Sequence, residues 1–225
     1  ITSELLNRGM PTRVLVRRPG AMQQGGGDTA EIFSAELTRP DSLKGACRNI
    51  DVVISTVGIT KQKDGLSYMD VDYQANMNLL SEAKKAGVKK FIYVSVLNGE
   101  NLRHLKMCEA KERFVEQLKT TGLAYCGVRP NGFFSDMAEF QLMAKKGRIY
   151  LFGNGESKSN PIHGADLAEV CVDAIEKPGR VINIGGPETL THNEIAQLAF
   201  ASLGREAKIS YIPNPVRLAV LKMLR

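Results

Sequence analysis

Hydrophobic positions alternate along the chain between short continuous runs and longer stretches with a helical period. The apolar run from Asp51 to Gly58 is typical of a strand that is buried on both faces. Between Tyr73 and Gly87, apolar residues recur at steps of four and three, which predicts an amphipathic helix with a glycine cap. The stretch that ends at Val96 is again β-branched and aromatic. This strand–helix–strand unit predicts two parallel strands joined by a right-handed crossover.

The same alternation continues on both sides of this unit. It predicts further strands at residues 12–16, 31–35, 123–128, 148–152, 180–184 and 208–212, and helices at residues 1–8, 106–120, 135–145, from 165 and at 195–203. A glycine-rich segment at residues 20–29 predicts a flexible surface loop, and an apolar helix is expected up to Arg225. We therefore predict a single α/β domain with a doubly wound parallel sheet, in which residues 1–130 form a nucleotide-binding core and residues 131–225 a smaller substrate lobe with interleaved elements.

Composition places the chain among ordinary soluble globular proteins. It has 225 residues, of which 43% are hydrophobic and 24% charged. No apolar run approaches the roughly 20 residues of a membrane-spanning helix, and no signal peptide is recognised, so we expect a cytoplasmic protein. The net charge of +6 is spread along the sequence, which favours a solvated basic surface over a nucleic-acid site.

Cysteine and histidine spacing gives no indication of a metal site. The four cysteines are widely separated and lack a C-x-x-C pair, so we expect reduced, buried thiols: Cys47, Cys108, Cys126 and Cys171. His104 and His192 have no partner at metal-ligand spacing. His163, in the segment N-P-I-H-G-A-D, is interpreted as part of a structural turn before the helix that begins near Asp166.

Several sequence segments, taken together and in order, resemble the atypical short-chain dehydrogenase/reductases, in particular the NmrA-like group with its divinyl-reductase-like and isoflavone-reductase-like enzymes. They include V-L-V-R-R-P, Y-Q-A-N-M-N-L-L-S-E-A-K-K-A-G-V-K-K-F-I-Y-V-S-V, G-L-A-Y-C-G-V-R-P-N-G-F-F and P-I-H-G-A-D-L-A-E-V. The resemblance covers essentially the whole chain. It implies a Rossmann-type fold that binds a nicotinamide dinucleotide.

The start of the chain departs from the family pattern. The family opens with a strand and a G-x-x-G-x-x-G turn that holds the cofactor pyrophosphate at a helix N-terminus. This sequence begins at Ile1 within a predicted helix, so we expect a fragment or an unresolved start. The first strand of the family lies between the strands predicted at residues 12–16 and 51–55, and without it both would carry a row of unpaired backbone groups.

Residues after the second and third strands of the family pattern indicate the choice of cofactor. Arg17 and Arg18 stand where a cation accommodates the 2′-phosphate of NADP, so NADP(H) is favoured over NAD(H). The alternative is a pair of solvated cations at a strand end. Glu36 and Leu37 stand where the family usually has Asp-Leu beside the adenine.

The following two strand ends are expected to face the same site, because ligands bind at the carboxyl edge of open parallel sheets. Thr56, Val57 and Gly58 are predicted to line the cofactor's path, with a simple turn as the alternative. Ser95 resembles the family's strand-end serine or threonine, which hydrogen-bonds a substrate carbonyl. Capping of the strand end explains this residue equally well.

Lys111 carries the question of catalysis. It matches the lysine of the Tyr-x-x-x-Lys pair of short-chain dehydrogenases, in which one helical turn aligns both side chains for proton transfer. Met107 occupies the tyrosine position and cannot transfer a proton. Three roles remain open for Lys111: it acts in catalysis itself, it binds the nicotinamide ribose, or it is one more exposed lysine on this helix.

The segment R-P-N-G-F-F follows the strand that flanks the nicotinamide in the family. On this basis three residues are candidate cofactor contacts, namely Arg129, Pro130 and Asn131. Three apolar side chains beyond them form either a substrate wall or part of the core, namely Phe133, Phe134 and Met137.

Two functions are therefore carried forward. The first is an NADP(H)-dependent oxidoreductase that acts on a small apolar or conjugated substrate. The second is a cofactor-binding protein without turnover, such as a redox sensor or an assembly protein, and Met107 is the residue that supports it. The sequence does not predict an oligomeric state.

Overall fold

A computed structural model describes residues 1–18, 20, 30–59, 65–177 and 181–216 of the chain. Within these residues the strands are β1 (Arg13–Val16), β2 (Glu31–Ser34), β3 (Val52–Ser55), β4 (Lys90–Val94), β5 (Ala124–Pro130), β6 (Ile149–Phe152), β7 (Lys158–Ser159), β8 (Val181–Ile184), β9 (Leu190–Thr191) and β10 (Ile209–Ile212). The α-helices are α1 (Thr2–Asn7), α2 (Asn76–Ala86), α3 (Lys106–Thr120), α4 (Ala138–Lys145), α5 (Gly164–Asp173) and α6 (His192–Ala201).

The chain divides into two compact units. The first comprises Ile1–Pro130 and Ala165–Ile184, and the second comprises Asn131–Gly164 and Gly185–Arg225. The chain thus leaves the first unit after β5, returns for α5 and β8, and leaves it again.

A parallel sheet with the order β3-β4-β5-β8 forms the centre of the first unit, which confirms the predicted α/β class. Its register pairs Val53 with Phe91 and Ile92 with Cys126. Phe91, Tyr93 and Phe114 are fully buried against α2 and α3, and the rings of Tyr93 and Phe114 meet edge to face at 4.6 Å. These aromatic contacts fix α3 against β4.

Strands β1 and β2 form a separate parallel pair. Among the described residues no hydrogen-bonded ladder joins β1 to β3. The pair nevertheless packs on the core of this unit, because Leu15 and Leu37 contact its hydrophobic cluster and the Asn78 amide donates to the Leu37 carbonyl at 2.8 Å.

The helix predicted between Tyr73 and Gly87 begins earlier than its apolar pattern indicates. A π-helix at Met69–Ala75 precedes α2, and the wider turn carries Asp72 and Asn76 into the interior with no exposed surface. The apolar stripe predicted from Tyr73 onward does pack on the core. Gly87 ends α2 with a φ of 77°, the left-handed cap expected of glycine.

The second unit has its own small core. Strands β6 and β10 pair in parallel, while β7 and β9 form a two-residue antiparallel ladder that was not among the predicted strands. Helices α4 and α6 pack over Ile149, Leu151 and Phe200. Helix α6 begins with a capping box, since the Thr191 hydroxyl accepts from the Glu194 amide and the Glu194 carboxylate accepts from the Thr191 amide.

Two predicted segments lie outside the described residues. They are most of the glycine-rich segment at 20–29 and the end of the apolar helix that was expected up to Arg225. Within the described ranges, no helix is both long and apolar enough to cross a membrane.

Candidate cofactor site

The carboxyl ends of β3, β4 and β5 lie at the same edge of the central sheet, because these strands are parallel and adjacent. Pairing continues past the strands, since the Ser95 amide donates to the Val128 carbonyl and the Leu97 amide to the Pro130 carbonyl. The segments Thr56–Gly58 and Ser95–Leu97 therefore meet at one edge, which is where ligands bind in folds of this kind.

Arg17 and Arg18 follow β1 and are both exposed. The Arg17 Nε lies 3.8 Å from a carboxylate oxygen of Glu36, and 55% of the arginine side chain is accessible. An ion pair at this distance in solvent is weak. The Glu36 backbone is held by Ser42, whose hydroxyl accepts from the Glu36 amide and donates to its carbonyl.

Two buried polar side chains that the sequence did not single out hold the loop after β3. Asn76 accepts a hydrogen bond from the Ser55 hydroxyl at 2.6 Å and donates to the carbonyl of Val57 at 3.3 Å. Asp72, one helical turn earlier, accepts from the Ile59 amide at 3.2 Å. The signal in the sequence was a pair of polar residues four apart on the helix that covers the sheet.

Lys111 extends from α3 to the same loop. Its Nζ lies 3.0 Å from Oδ1 of Asp72, whose side chain is fully buried, and 12% of the lysine side chain is exposed. The approach is an ion pair without hydrogen-bond geometry, so in the described part of the chain Oδ1 has no hydrogen-bond partner. Lys111 thus differs from the exposed Lys106 and Lys119 of the same helix.

Tyr93 is the phenol nearest to this pair, yet it does not replace the tyrosine that the sequence lacks at Met107. Its hydroxyl donates to the Asp72 carbonyl at 3.4 Å, and the residue is completely buried. Burial raises the pKa of Tyr93 well above its ordinary value, and the charges of Asp72 and Glu112 add to the effect. A phenol in this position has no access to a ligand.

A second buried network lies beside Ser95. Its hydroxyl donates to a carboxylate oxygen of Glu112 at 3.3 Å, and the other oxygen accepts from Arg129 at 2.8 Å. Arg129 also pairs with Glu100, while its Nε has no hydrogen-bond partner within the described residues. Burial raises the pKa of Glu112, with Arg129 acting in the opposite direction. Ser95 and Arg129 are therefore bound to protein groups in this structure.

The remaining candidates fall in different places. Pro130 ends β5 in the first unit, whereas Asn131, Phe133, Phe134 and Met137 belong to the second unit. Phe134 and Met137 line an apolar pocket of about 320 Å³ in that unit. The backbone of Phe133 instead forms an isolated parallel β-bridge with that of Ile162.

The residues at this edge suit a nicotinamide dinucleotide. Exposed arginine side chains follow β1, and Lys111, with 12% of its side chain exposed, stands beside the loop after β3. Behind its ammonium group lies a carboxylate oxygen that accepts no hydrogen bond from the described residues. Across the same ranges, no group of three or more metal-binding side chains is close enough to hold a metal ion.

Fold and site together define a Rossmann-type dinucleotide-binding protein. A family model described as NAD(P)H-binding matches residues 1–178. The chain therefore belongs to the NAD(P)H-binding family, and its resemblance to the atypical short-chain dehydrogenase/reductases of the NmrA-like group is confirmed.

Proteins similar in sequence to this chain carry names that describe different activities. The chain is 30% identical over 189 residues to the photosystem II assembly factor Ycf39 of Guillardia theta, covering 82% of this chain and 60% of the relative. It is 29% identical over 212 residues to the chloroplastic divinyl chlorophyllide a 8-vinyl-reductase of Arabidopsis thaliana, covering 87% and 50%. The chain thus spans between half and two thirds of the length of these relatives.

Solved structures agree with the fold. The UDP-glucose 4-epimerase of Thermus thermophilus, determined with NAD, superposes with a TM-score of 0.75 at 19% identity, covering 94% of this chain and 81% of the epimerase. At this identity the match supports the architecture alone.

Proposed function

We propose that this protein is an NADP(H)-dependent oxidoreductase that reduces a small apolar or conjugated substrate. Lys111 carries the proposal: its side chain keeps 12% of its surface exposed, and its ammonium group is held beside a buried carboxylate near the sheet edge where this fold binds nucleotides. An ion pair that served only to join α3 to the π-helix before α2 would not need a lysine with exposed surface.

Lys111 is proposed to donate hydrogen bonds to the ribose next to the nicotinamide. Its ammonium group lies 3.0 Å from one Asp72 oxygen and carries three hydrogens, so donors remain for a ligand beside that ion pair. When bound, the nicotinamide supplies the hydride, and the protein contributes position and electrostatics. Since neither Met107 nor Tyr93 offers an accessible proton, a conjugated substrate that takes its proton from solvent suits this site better than a simple ketone. The reductase among the relatives, which acts on a vinyl group by its name, supports this choice.

The preference for NADP(H) is proposed from Arg17 and Arg18. More than half of the Arg17 side chain is accessible beside its weak pairing with Glu36, so the guanidinium group is within reach of a 2′-phosphate. Phe134 and Met137 line the apolar pocket of the second unit, and this pocket is proposed to bind an apolar ligand group.

Binding and turnover are measured on the full-length protein. The chain contains no tryptophan, so fluorescence of NADPH and NADH can be titrated without that background. We expect NADPH to bind at least tenfold more tightly than NADH. Arg17→Ala should reduce this ratio about tenfold, while Arg148→Ala, at an exposed arginine of the second unit, should leave it unchanged. Equal affinity for the two cofactors would contradict the NADP(H) assignment.

Turnover is tested with a panel of enones, vinyl-substituted rings and simple carbonyl compounds. We expect NADPH oxidation with conjugated members of the panel, and its loss in Lys111→Ala but not in Lys106→Ala. Tight NADPH binding without oxidation of any panel member would favour the second candidate, a cofactor-binding assembly or redox-sensing protein. That candidate is supported by Met107 and by the assembly factor among the relatives.

A further inference from the structure

Asp72 lies behind the proposed site, in the interior of the first unit. Its side chain has no exposed surface and carries a carboxylate into the interior of the first unit. A buried carboxylate is costly unless a cation or several hydrogen bonds compensate it. Among the described residues, the Asp72 carboxylate contacts one cation, Lys111, and one backbone amide, that of Ile59. These two groups therefore compensate the cost of burying its charge.

The two carboxylate oxygens of Asp72 contact two different elements. Oδ2 accepts from the Ile59 amide, in the loop after β3, at 3.2 Å. Oδ1 lies 3.0 Å from the Lys111 ammonium group, on α3. The Asp72 side chain thus connects the loop after β3 with α3, and both are proposed to face the cofactor.

Gly58 shows how closely these groups are packed. A Cβ atom at this position would lie 2.6 Å from Oδ1 of Asp72 and 2.8 Å from Nζ of Lys111. Both distances are shorter than van der Waals contact. The position therefore requires glycine for lack of space, because any side chain would push the ion pair apart.

The π-helix explains how Asp72 reaches this place. Its turn is wider than an α-helical turn and lies directly before α2, so Asp72 and Asn76 both point to the end of β3. Short π-helical segments are rare and are frequently found at functional sites. The π-helix thus places the Asp72 carboxylate next to the Lys111 ammonium group.

We propose that Asp72 is the positioning residue of the cofactor site: it holds the Lys111 ammonium group by charge and the Gly58–Ile59 backbone by a hydrogen bond, and so sets both against the nicotinamide end of the cofactor. The proposal rests on the function proposed above. Asp72 acts through Lys111 and through the Gly58–Ile59 backbone, and it does not touch the cofactor itself.

A double-mutant cycle on NADPH affinity tests the coupling. Asp72→Asn and Lys111→Met are each expected to raise the Kd for NADPH about tenfold, and the double variant should be no weaker than Lys111→Met alone. Asp70→Asn is the matched control, because Asp70 lies on the same π-helix, is exposed and accepts hydrogen bonds from Ser67. Additive losses in the double variant, or an equal effect of Asp70→Asn, would overturn the proposal.

A second measurement needs no cofactor. Lys111 and Lys106 are acylated with a limiting amount of an amine reagent, and the two sites are quantified by mass spectrometry. In Asp72→Asn the Lys111 ammonium group loses its anionic partner. The ratio of Lys111 labelling to Lys106 labelling should therefore rise at least threefold. An unchanged ratio would show that Asp72 does not hold the lysine.

Gly58→Ala gives the same test without removing a charge, in case Asp72→Asn does not fold. It should weaken NADPH binding and raise Lys111 labelling, whereas Gly164→Ala, where a Cβ meets nothing within 4 Å, should do neither. If the wild type binds no NADPH but labelling of Lys111 still rises in Asp72→Asn, the proposed function fails while the hold of Asp72 on Lys111 is supported.

Discussion

Individual polar residues in the interior of the first unit define the candidate site. Asp72 and Asn76 are fully buried, and both bond to the loop after β3. Lys111 and Gly58 were identified from the sequence, but their buried partner was not. The reason is physical: Asp72 and Lys111 are 39 positions apart in the sequence, and only the packing of α3 against the π-helix before α2 brings them to 3.0 Å.

Asn76 is expected to be the most sensitive neutral polar residue of this region. Asn76→Ala leaves the Ser55 hydroxyl and the Val57 carbonyl without their Asn76 partner and removes one of two side-chain donors to the Asp72 carbonyl, which should lower the free energy of unfolding by about 3 kcal/mol. Urea denaturation provides the measurement. Gln74→Ala, which removes an exposed side-chain hydrogen bond two residues away, should change the stability by less than about 0.5 kcal/mol. Similar losses in both variants would contradict this role of Asn76.

Secondary-structure elements follow the hydrophobic pattern wherever burial is one-sided. Helix α3 has the predicted bounds Lys106–Thr120, because its apolar positions recur with the helical period and Gly122 follows it. The π-helix before α2 was not predicted, since a wider turn has no distinct pattern of apolar residues. The ladder of β7 and β9 was also missed, because two residues are too short to show an alternation.

The capping box of α6 provides a prediction about pH. Hydrogen bonds from the backbone and hydroxyl of Thr191 lower the pKa of Glu194 below its ordinary value of 4.5. Since the folded-state pKa is the lower one, the stabilisation is present above pH 4.5 and is lost as the pH falls through the folded-state value. NMR titration should show the Glu194 carboxyl midpoint below 4.5, with fraying of the first turn of α6 over the same range.

The matched variant for this titration is Glu194→Gln. It keeps an oxygen acceptor but has no carboxyl group to protonate, so the first turn of α6 should no longer respond to pH between about 5 and 3. A response as large as that of the wild type would assign the effect to another group.

At the scale of the whole molecule, the two units differ in what their cores contain. All four cysteines are buried, as predicted, and all belong to the first unit. Burial raises the pKa of the Cys47 and Cys171 thiols to about 11 in each case. The second unit is held by a separate cluster around Ile149, Leu151 and Phe200.

Thiol labelling should therefore report on the first unit alone. We expect an aromatic disulfide reagent to react with none of the four cysteines in the native protein and with all four in denaturant, because a buried thiol is neither accessible nor ionised near pH 7. Absorbance of the released thiolate gives the count. Rapid reaction of any cysteine in the native state, or fewer than four in denaturant, would contradict the buried, reduced state.

The sequence by itself determined the α/β class, the order of the main strands and helices, the family resemblance and the importance of Lys111. These properties depend on local periodicity, on glycine caps and on short segments whose residues are neighbours in the chain. The tertiary structure alone decided that Asp72 lies under Lys111, that Asn76 holds the loop after β3, and that Ser95 and Arg129 bond to Glu112. Such contacts join residues that are distant in sequence, and their geometry is set by how helices pack on the sheet, which no local pattern encodes.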